Sequence, residues 1–198
     1  ANVTPLHHAQ KEALLTLDNS ILADVEALSI QTDDGLTPLH GFAMDGLLGM
    51  IHPSVLANRH ALLLNSGGDT VVHIAAEHGS LPHISSTILC DPKVMAIQDD
   101  QARTPLHWAA RNGFLDQMPK AIRKHVRLFM IRDNNGDSPL HLAAENGGLR
   151  DVFIEVRGNR RAMLLPNKQA DTPLHVAARN GYFNDIPERL RRDIQAMT

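Results

Sequence analysis

One tetrapeptide recurs along the chain at a nearly constant interval. Copies of Thr-Pro-Leu-His, two of them altered to Thr-Val-Val-His and Ser-Pro-Leu-His, begin at Thr4, Thr37, Thr70, Thr104, Ser138 and Thr172. Successive copies are 33, 33, 34, 34 and 34 residues apart. A fixed period of this length indicates one supersecondary unit repeated six times, and it excludes most enzyme architectures. We therefore expect partner binding, although the period does not identify the partner.

The fourth copy shows why each repeat should begin with a short helix. Thr104 can accept a hydrogen bond from a free amide at the helix start, and Pro105 suits the first helical position. Glycine follows nine residues after the Thr or Ser in five copies, where a left-handed residue ends a helix. These glycines are Gly46, Gly79, Gly113, Gly147 and Gly181. The pattern predicts a first helix of about two turns, and paired alanines such as Ala109 and Ala110 allow close stacking.

A second apolar stretch follows each glycine and predicts a second, antiparallel helix. Pro119 and Pro187 fall inside this stretch. Because proline disrupts a helix interior, we predict a short or broken second helix. Apolar quartets such as residues 128–131 then predict one more packed turn or extended piece. The loops that follow, such as residues 133–136, have the composition of tight turns.

Together these residues resemble ankyrin repeats. The resemblance is carried by the loop Asp or Asn, the Gly or Ala, the Thr-Pro-Leu-His, the two alanines and the final glycine, and it covers residues 1 to about 195. It implies an all-α solenoid of helix-turn-helix units joined by loops or short hairpins, with a concave face that binds proteins. We expect one domain over residues 1–198, with repeats 1 to 6 starting near residues 2, 35, 68, 102, 136 and 170.

The chain departs from the family pattern in its second helices. The glycine that usually ends this helix is replaced by Val25, Asn58, Asp91, His125 and Asn159. We therefore expect an unusual connection from the second helix to the loop. Repeat 1, with Gln10 and Ala13 at motif positions, is expected to be a terminal cap. The interrupted second helix is similar to ankyrin arrays encoded by bacteria, including host-directed effectors.

The titratable residues do not form a recognisable catalytic or metal-binding pattern. The sequence has no nucleophile beside a base, no HExxH helix, no phosphate loop and no paired-carboxylate site, so we predict a protein that is not an enzyme and has no cofactor. Half of the 12 histidines belong to the motif, and the resemblance implies that they bond neighbouring loop backbone. His78 and His83 are five residues apart, the wrong helical spacing for a shared metal.

The single cysteine, Cys90, excludes an internal disulfide and is typical of a reducing compartment. We predict that Cys90 is a small packed residue. We expect a cytoplasmic protein, or one in the host cytoplasm if it is a secreted bacterial effector.

The resemblance places the binding surface on the loop residues before the motif and on the exposed end of the first helix. The residues predicted to bind a partner are Asp33, Asp34, Asp69, Glu77, His78, Asp100, Arg103, Arg111, Asn112, Asn134, Asp137, Glu145, Lys168 and Arg179. Equivalent positions also include Asn135, Asn146, Gln169, Asp171 and Asn180.

Charges alternate along one row of these positions. Seven residues after the motif Thr or Ser, repeats 3 to 6 carry Glu77, Arg111, Glu145 and Arg179. An inter-repeat ladder of ion pairs and a mixed-charge docking surface both explain the row. Trp108, whose counterparts at the same position of other repeats are aliphatic, is interpreted as a packing residue and not as a binding anchor.

Charge is distributed unevenly along the chain. Residues 1–100 carry 3 basic and 12 acidic side chains, whereas residues 101–198 carry 16 basic and 10 acidic ones. The basic residues cluster on or after the second helices, at Lys120, Arg123, Lys124, Arg127, Arg150, Arg157, Arg160, Arg161, Arg189, Arg191 and Arg192. Such a run is ordinarily a solvated helical face.

We therefore predict a monomeric module that binds another protein through its concave face. One alternative is the recognition domain of a larger enzyme or of a host-directed bacterial effector. A second alternative is a basic outer face, over residues 120–192, that binds an acidic polymer or an anionic membrane. Nucleic acid and membrane are not the expected partners, because no exposed aromatic platform accompanies the charge.

Overall fold

The computed structural model describes residues 17–195, with side chains described up to residue 192. The motif copy of repeat 1, which starts at Thr4 and includes Gln10 and Ala13, lies outside the described residues. The described part folds as an all-α repeat stack with a single two-stranded hairpin. No helix in this part is both long and apolar enough to span a membrane.

The α-helices are short. In chain order they are α1 Asn19–Leu22, α2 Val25–Ser29, α3 Pro38–Met44, α4 Pro53–Leu56, α5 Arg59–Leu62, α6 Val71–His78, α7 Ser86–Leu89, α8 Pro105–Asn112, α9 Lys120–Arg123, α10 Pro139–Glu145, α11 Ile154–Arg157, α12 Arg160–Met163, α13 Pro173–Arg179 and α14 Glu188–Gln195. The antiparallel hairpin joins β1 Asn65–Ser66 to β2 Asp69–Thr70. Single 3₁₀ turns cover Leu48–Met50, Leu81–His83, Leu115–Gln117, Leu128–Met130, Gly148–Asp151 and Phe183–Asp185.

The first helices of repeats 2 to 6 are α3, α6, α8, α10 and α13, and they have the predicted length and ends. Each begins directly after the motif Thr or Ser, which forms a capping box with the motif His. The five predicted glycines all have a positive φ, between 70° and 82°. The prediction of a two-turn helix ended by a left-handed glycine is confirmed.

The motif histidines of repeats 2, 4 and 5 join their repeat to the next. In repeat 4, Nδ1 of His107 accepts from the Thr104 amide at 2.9 Å, while Nε2 lies 3.1 Å from the carbonyl oxygen of Asp137 in repeat 5. An amide can only donate and a carbonyl can only accept, so the ring is neutral with its proton on Nε2. His40 and His141 make the same pair of bonds, with Nε2 on the carbonyl oxygens of Asp69 and Asp171, whereas Nε2 of His73 bonds the Ile97 carbonyl oxygen of its own repeat 3. The bond to loop backbone that the resemblance implies is confirmed.

The second limb of each repeat is broken, as predicted. In repeat 4 a 3₁₀ turn at Leu115–Gln117 ends before Pro119, which immediately precedes α9. Pro187 has the same place before α14. A further short helix follows in repeats 2 and 5, where Asn58 and Asn159 cap α5 and α12 by accepting from amides three residues ahead. The residues found in place of the family's glycine thus start a third helical turn.

The loops that follow repeats 3, 4 and 5 are tight five-residue turns, whereas the β1–β2 hairpin joins repeat 2 to repeat 3. The Asp133 amide donates to the Asp137 carbonyl oxygen at 2.8 Å, and Oδ1 of Asp133 accepts from the amides of Asn135 and Asp137. Asp99 and Asn167 close their loops in the same way. Ala102 and Ala170 have φ values of 57° and 64° at the loop position that Gly136 fills in repeat 5.

One apolar core runs through the stack. The alanine pairs of α6, α8 and α10 are completely buried between neighbouring first helices. Cys90, in contrast, is exposed, so the prediction that it packs is wrong. It lies one residue beyond the buried Leu89, at the C-terminal cap of α7, where the chain has already turned to solvent.

Candidate interaction surface

Two adjoining hollows lie on the side of the stack formed by the loops and first helices, which we call the inner surface. The hollow between repeats 5 and 6 has a volume of about 390 Å³, and the one between repeats 4 and 5 about 370 Å³. They share Asn135, Asp137, Leu142 and Glu145. Because these residues line both, the two hollows form a continuous groove across three repeats.

The groove collects six of the fourteen predicted binding residues. These are Arg103, Arg111, Asn112, Asp137, Glu145 and Arg179. The other eight do not line it, namely Asp33, Asp34, Asp69, Glu77, His78, Asp100, Asn134 and Lys168. Two of them belong to a contact between loops, since the Asn134 side-chain amide donates to the Asp100 carbonyl oxygen at 3.1 Å.

Sequence reasoning did not assign Leu142, Val176 and His141 to this surface, although all three line the groove. Each is largely buried and reaches the groove only at its floor. Leu142 and Val176 occupy the position of Trp108 in their repeats, which the sequence had marked only as a packing position. The signal that the sequence offered for this part of the surface was the variation in side-chain size at this position, from Trp108 to Leu142 and Val176.

The row of alternating charges does not form the inter-repeat ladder. Within residues 17–192 no ion pair joins neighbouring members of Glu77, Arg111, Glu145 and Arg179. Arg179 instead pairs with Asp171 of its own repeat at 2.8 Å. Arg111 and Glu145 are exposed on the groove walls. The ladder interpretation is therefore wrong, and both charges are available to a partner.

Trp108 organises the repeat 4 end of the groove. Its indole Nε1 donates to Oδ2 of Asp99 at 2.9 Å, and the Arg103 guanidinium lies 4.9 Å from the ring centroid. The ring is half-buried and packs against the core, so its interpretation as a packing residue is confirmed. Arg103 also pairs with the buried Asp133 at 3.5 Å. These contacts hold the Arg103 side chain in one position on the groove wall.

The inner surface is more acidic toward repeat 3. Burial and the nearby carboxylates of Asp99, Glu77 and Asp100 together raise the pKa of Asp69 to about 6. An elevated carboxyl pKa is the expected result when several acidic groups share a partly desolvated region. The inner surface is thus negatively charged around repeat 3 and carries charges of both signs along the groove of repeats 4 to 6.

The described residues contain no group of three or more His, Cys, Asp or Glu side chains arranged to hold a metal ion. Comparison with known families matches residues 84–156 to the family model described as ankyrin repeats, in three copies. This segment covers the later part of repeat 3, all of repeat 4 and most of repeat 5, including the walls of the hollow between repeats 4 and 5. A search of curated proteins found no significant match.

Proposed function

Because the chain is an ankyrin-repeat protein, and such repeats are generally non-enzymatic protein-protein interaction modules, we propose that it binds a partner protein through the inner surface of repeats 4 to 6. The observation that carries the proposal is the continuous groove lined by Arg111 and Glu145. Both side chains are charged and exposed, and neither has an ion-pair partner within residues 17–192.

The charge pattern of the groove favours a partner segment that itself carries both signs. Arg111 would meet a carboxylate and Glu145 a basic side chain, and such pairing mainly determines specificity and association rate. Arginine is also enriched among the residues that dominate binding energy at interfaces. Arg103, already oriented by Trp108 and Asp133, adds a second cation next to Arg111.

The groove is preorganised by bonds between repeats. The Asn146 side-chain amide donates to the Arg111 carbonyl oxygen at 2.8 Å, and the Asn134 amide N–H donates to the Gln101 carbonyl oxygen at 2.9 Å. A surface held in this way loses little conformational entropy on binding, which raises the affinity obtained from a given set of contacts. We propose that the chain acts in this way as a monomer in the cytoplasm. The same role applies if it is the recognition domain of a larger enzyme or effector.

The test combines affinity capture with charge reversal. The wild-type protein and the Arg111→Glu and Glu145→Lys variants are used as bait, and captured proteins are identified by mass spectrometry. Arg161→Glu, an exposed charge reversal outside the groove, is the matched control. We expect a partner that both groove variants lose, with an affinity reduced about tenfold or more for the purified pair, and an unchanged melting temperature.

Two results would contradict the proposal. One is a partner retained by both groove variants, and the other is a partner lost equally by Arg161→Glu. Neither groove residue has an ion-pair partner within residues 17–192, so a loss of binding cannot be attributed to a broken ion pair in the described part of the chain.

A further inference from the structure

A second groove lies on the outer side of the stack, between α11 of repeat 5 and α14 of repeat 6. Its volume is about 590 Å³, within the range typical of ligand pockets. It is lined by Ile154, Gly158, Asn159, Arg160, Pro187, Arg189 and Leu190. None of these residues lines the inner hollows, so the two grooves are separate.

The groove exists because repeat 5 departs from the other repeats at two positions. The first residue of the short second helix is Pro53, Ser86, Lys120 and Glu188 in repeats 2, 3, 4 and 6, but Ile154 in repeat 5. Ile154 is 54% exposed, more than the other large exposed hydrophobic residues of the described part, Met44 at 46% and Ile30 at 38%. An isoleucine is thus presented to solvent where the other repeats have proline or a polar side chain.

The second departure is Gly158, which ends α11. The equivalent residues in repeats 2, 3 and 4 are Ala57, Cys90 and Lys124. A Cβ atom at position 158 would lie 2.6 Å from the Ile154 carbonyl oxygen and 3.8 Å from Cγ of Pro187. A longer side chain would therefore enter the space between α11 and α14, and the glycine leaves that space open next to Ile154.

The walls of the groove are basic. Arg160 and Arg189 line it directly, and Arg157 lines a smaller neighbouring hollow of about 220 Å³ that also contains Ile154. Three acidic residues near the groove are paired, Glu155 with Lys124 at 3.6 Å, Asp185 with Arg150 at 3.4 Å and Glu188 with Arg192, whereas Asp151, which lines the smaller hollow, has no ion pair within residues 17–192.

The side chain of Arg189 lies at the edge of the groove. Arg189 is exposed and has no ion pair within residues 17–192. The surroundings of Ile154 thus carry an excess of positive charge.

We propose that the outer groove binds an acidic amphipathic segment of a protein partner. One apolar side chain of the segment lies against Ile154 and Pro187, and its carboxylates face Arg189. Charge complementarity selects an acidic occupant. The concave shape selects a peptide over an anionic membrane, because membrane association depends on apolar side chains that project into the lipid.

The probe for this site is a fluorescent synthetic peptide of about 15 residues, long enough to form a helix, with leucines at helical spacing and glutamates elsewhere. Two control peptides replace the leucines with serine or the glutamates with lysine. We expect the acidic leucine peptide to bind in fluorescence anisotropy, and each control peptide to bind about tenfold more weakly or worse.

Two protein variants locate the site. Ile154→Lys introduces the residue found at this position in repeat 4, and Arg189→Glu reverses the charge at the groove edge. Both side chains are exposed, and circular dichroism checks that the fold is kept. Each is expected to weaken peptide binding about tenfold, whereas Arg127→Glu, a charge reversal at an exposed residue that lines neither groove, leaves it unchanged.

Three results would overturn the proposal. The first is no binding of the acidic leucine peptide at low salt, and the second is binding that Ile154→Lys and Arg189→Glu leave unchanged. The third is binding to phosphatidylcholine–phosphatidylserine vesicles, lost in Ile154→Lys, in the absence of peptide binding, which would assign the groove to a membrane. Loss of the inner-surface partner in Arg111→Glu is measured separately, so this proposal and the one for the inner surface fail independently.

Discussion

Each repeat has an inner limb, made of the loop and the first helix, and an outer limb, made of the segment after the glycine. The two limbs follow different structural rules. On the inner side, five first helices share the same cap and the same glycine turn, and in repeats 2, 4 and 5 the motif histidine makes the same bond to the next repeat. On the outer side, the turn, the break and the short helices differ from repeat to repeat. The difference teaches that regularity is required where buried polar groups must be satisfied, and that apolar packing tolerates variation.

The outer limb has its own bond between repeats, of another kind. Nη1 of Arg123 donates to the Asp151 carbonyl oxygen at 3.2 Å, and Nη1 of Arg157 donates to the Asp185 carbonyl oxygen at 2.6 Å. These arginines are half-buried and charged, whereas the motif histidines of repeats 2 to 5 are buried and neutral. The two limbs should therefore respond differently to acid and to substitution.

Acidification should have the largest effect, and it should act on the inner limb. Burial lowers the pKa of His107 to about 4 and also lowers the pKa values of His40, His73 and His141. Unfolded histidine titrates near 6.5, so from there down to about pH 4 the unfolded chain binds more protons than the folded chain at His107. The free energy of unfolding should fall with falling pH by about 1.4 kcal/mol per pH unit from His107, and His40, His73 and His141 act in the same direction.

Asp69 opposes this trend. Its raised pKa of about 6 means that the folded state holds a proton the unfolded state releases, so its contribution to stability is lost as the pH rises through 6. It offsets part of the loss from His107, and because His40, His73 and His141 act in the same direction as His107, the net effect of acid is destabilising. Urea unfolding at neutral pH and at about pH 5 measures the balance. Equal or greater stability in acid would contradict it.

Substitution of a single motif histidine should have the next largest effect. His107→Ala leaves the Thr104 amide and the Asp137 carbonyl buried without their partner, and should cost about 3 kcal/mol. His175 has the same place in repeat 6 but is exposed, so His175→Ala should cost about 1 kcal/mol or less. Urea unfolding compares the two variants. Equal losses would show that the bond between repeats is not what the inner limb depends on.

The outer bond should be worth less. Arg157→Met keeps the apolar stem but loses the bond to the Asp185 carbonyl oxygen, and should cost about 1 kcal/mol. Arg161→Met is the control, because Arg161 is exposed on the neighbouring helix α12 and should change the free energy of unfolding by less than about 0.5 kcal/mol. A loss in Arg157→Met as large as that in His107→Ala would remove the distinction between the limbs.

The smallest effect is expected at an irregular point of the inner loops. Ala102 has a positive φ that glycine adopts without strain, so Ala102→Gly should stabilise the fold by about 0.5 kcal/mol after the greater chain entropy of glycine is counted. Ala121→Gly, at an exposed position in α9, should instead destabilise it by about 0.5–1 kcal/mol. Thermal unfolding of both variants checks the opposite signs.

The sequence predicts the inner limb well because its determinants are local. The cap, the proline at the first helical position and the terminal glycine act within ten residues, so Thr104 to Gly113 could be interpreted without its neighbours. The outer limb depends on packing between repeats. Pro119 predicts a break in the second helix of repeat 4. The capping of a further short helix by Asn58 and Asn159, in contrast, depends on a backbone path that the pattern does not specify.

The binding residues were harder to predict for the same reason. Asn134 and Arg111 are both polar residues at variable positions, yet the Asn134 side chain bonds the loop of repeat 4 whereas the Arg111 side chain faces the groove. The row of charges on Glu77, Arg111, Glu145 and Arg179 likewise allowed an ion-pair ladder by spacing alone. Which partner a long side chain meets is decided in three dimensions, and Arg179 meets Asp171 in its own repeat.

In repeats 2, 4 and 5 the motif histidine bonds a backbone carbonyl of the following repeat and no side chain of that repeat. Any residue at that loop position supplies the same acceptor, so a repeat can be duplicated, deleted or exchanged without a compensating change in its neighbour. Most substitutions at the loop position that accepts this hydrogen bond therefore leave the contact between the repeats unchanged. Lineages that carry such arrays can change the number of repeats and the residues of the groove while the junctions between repeats stay intact.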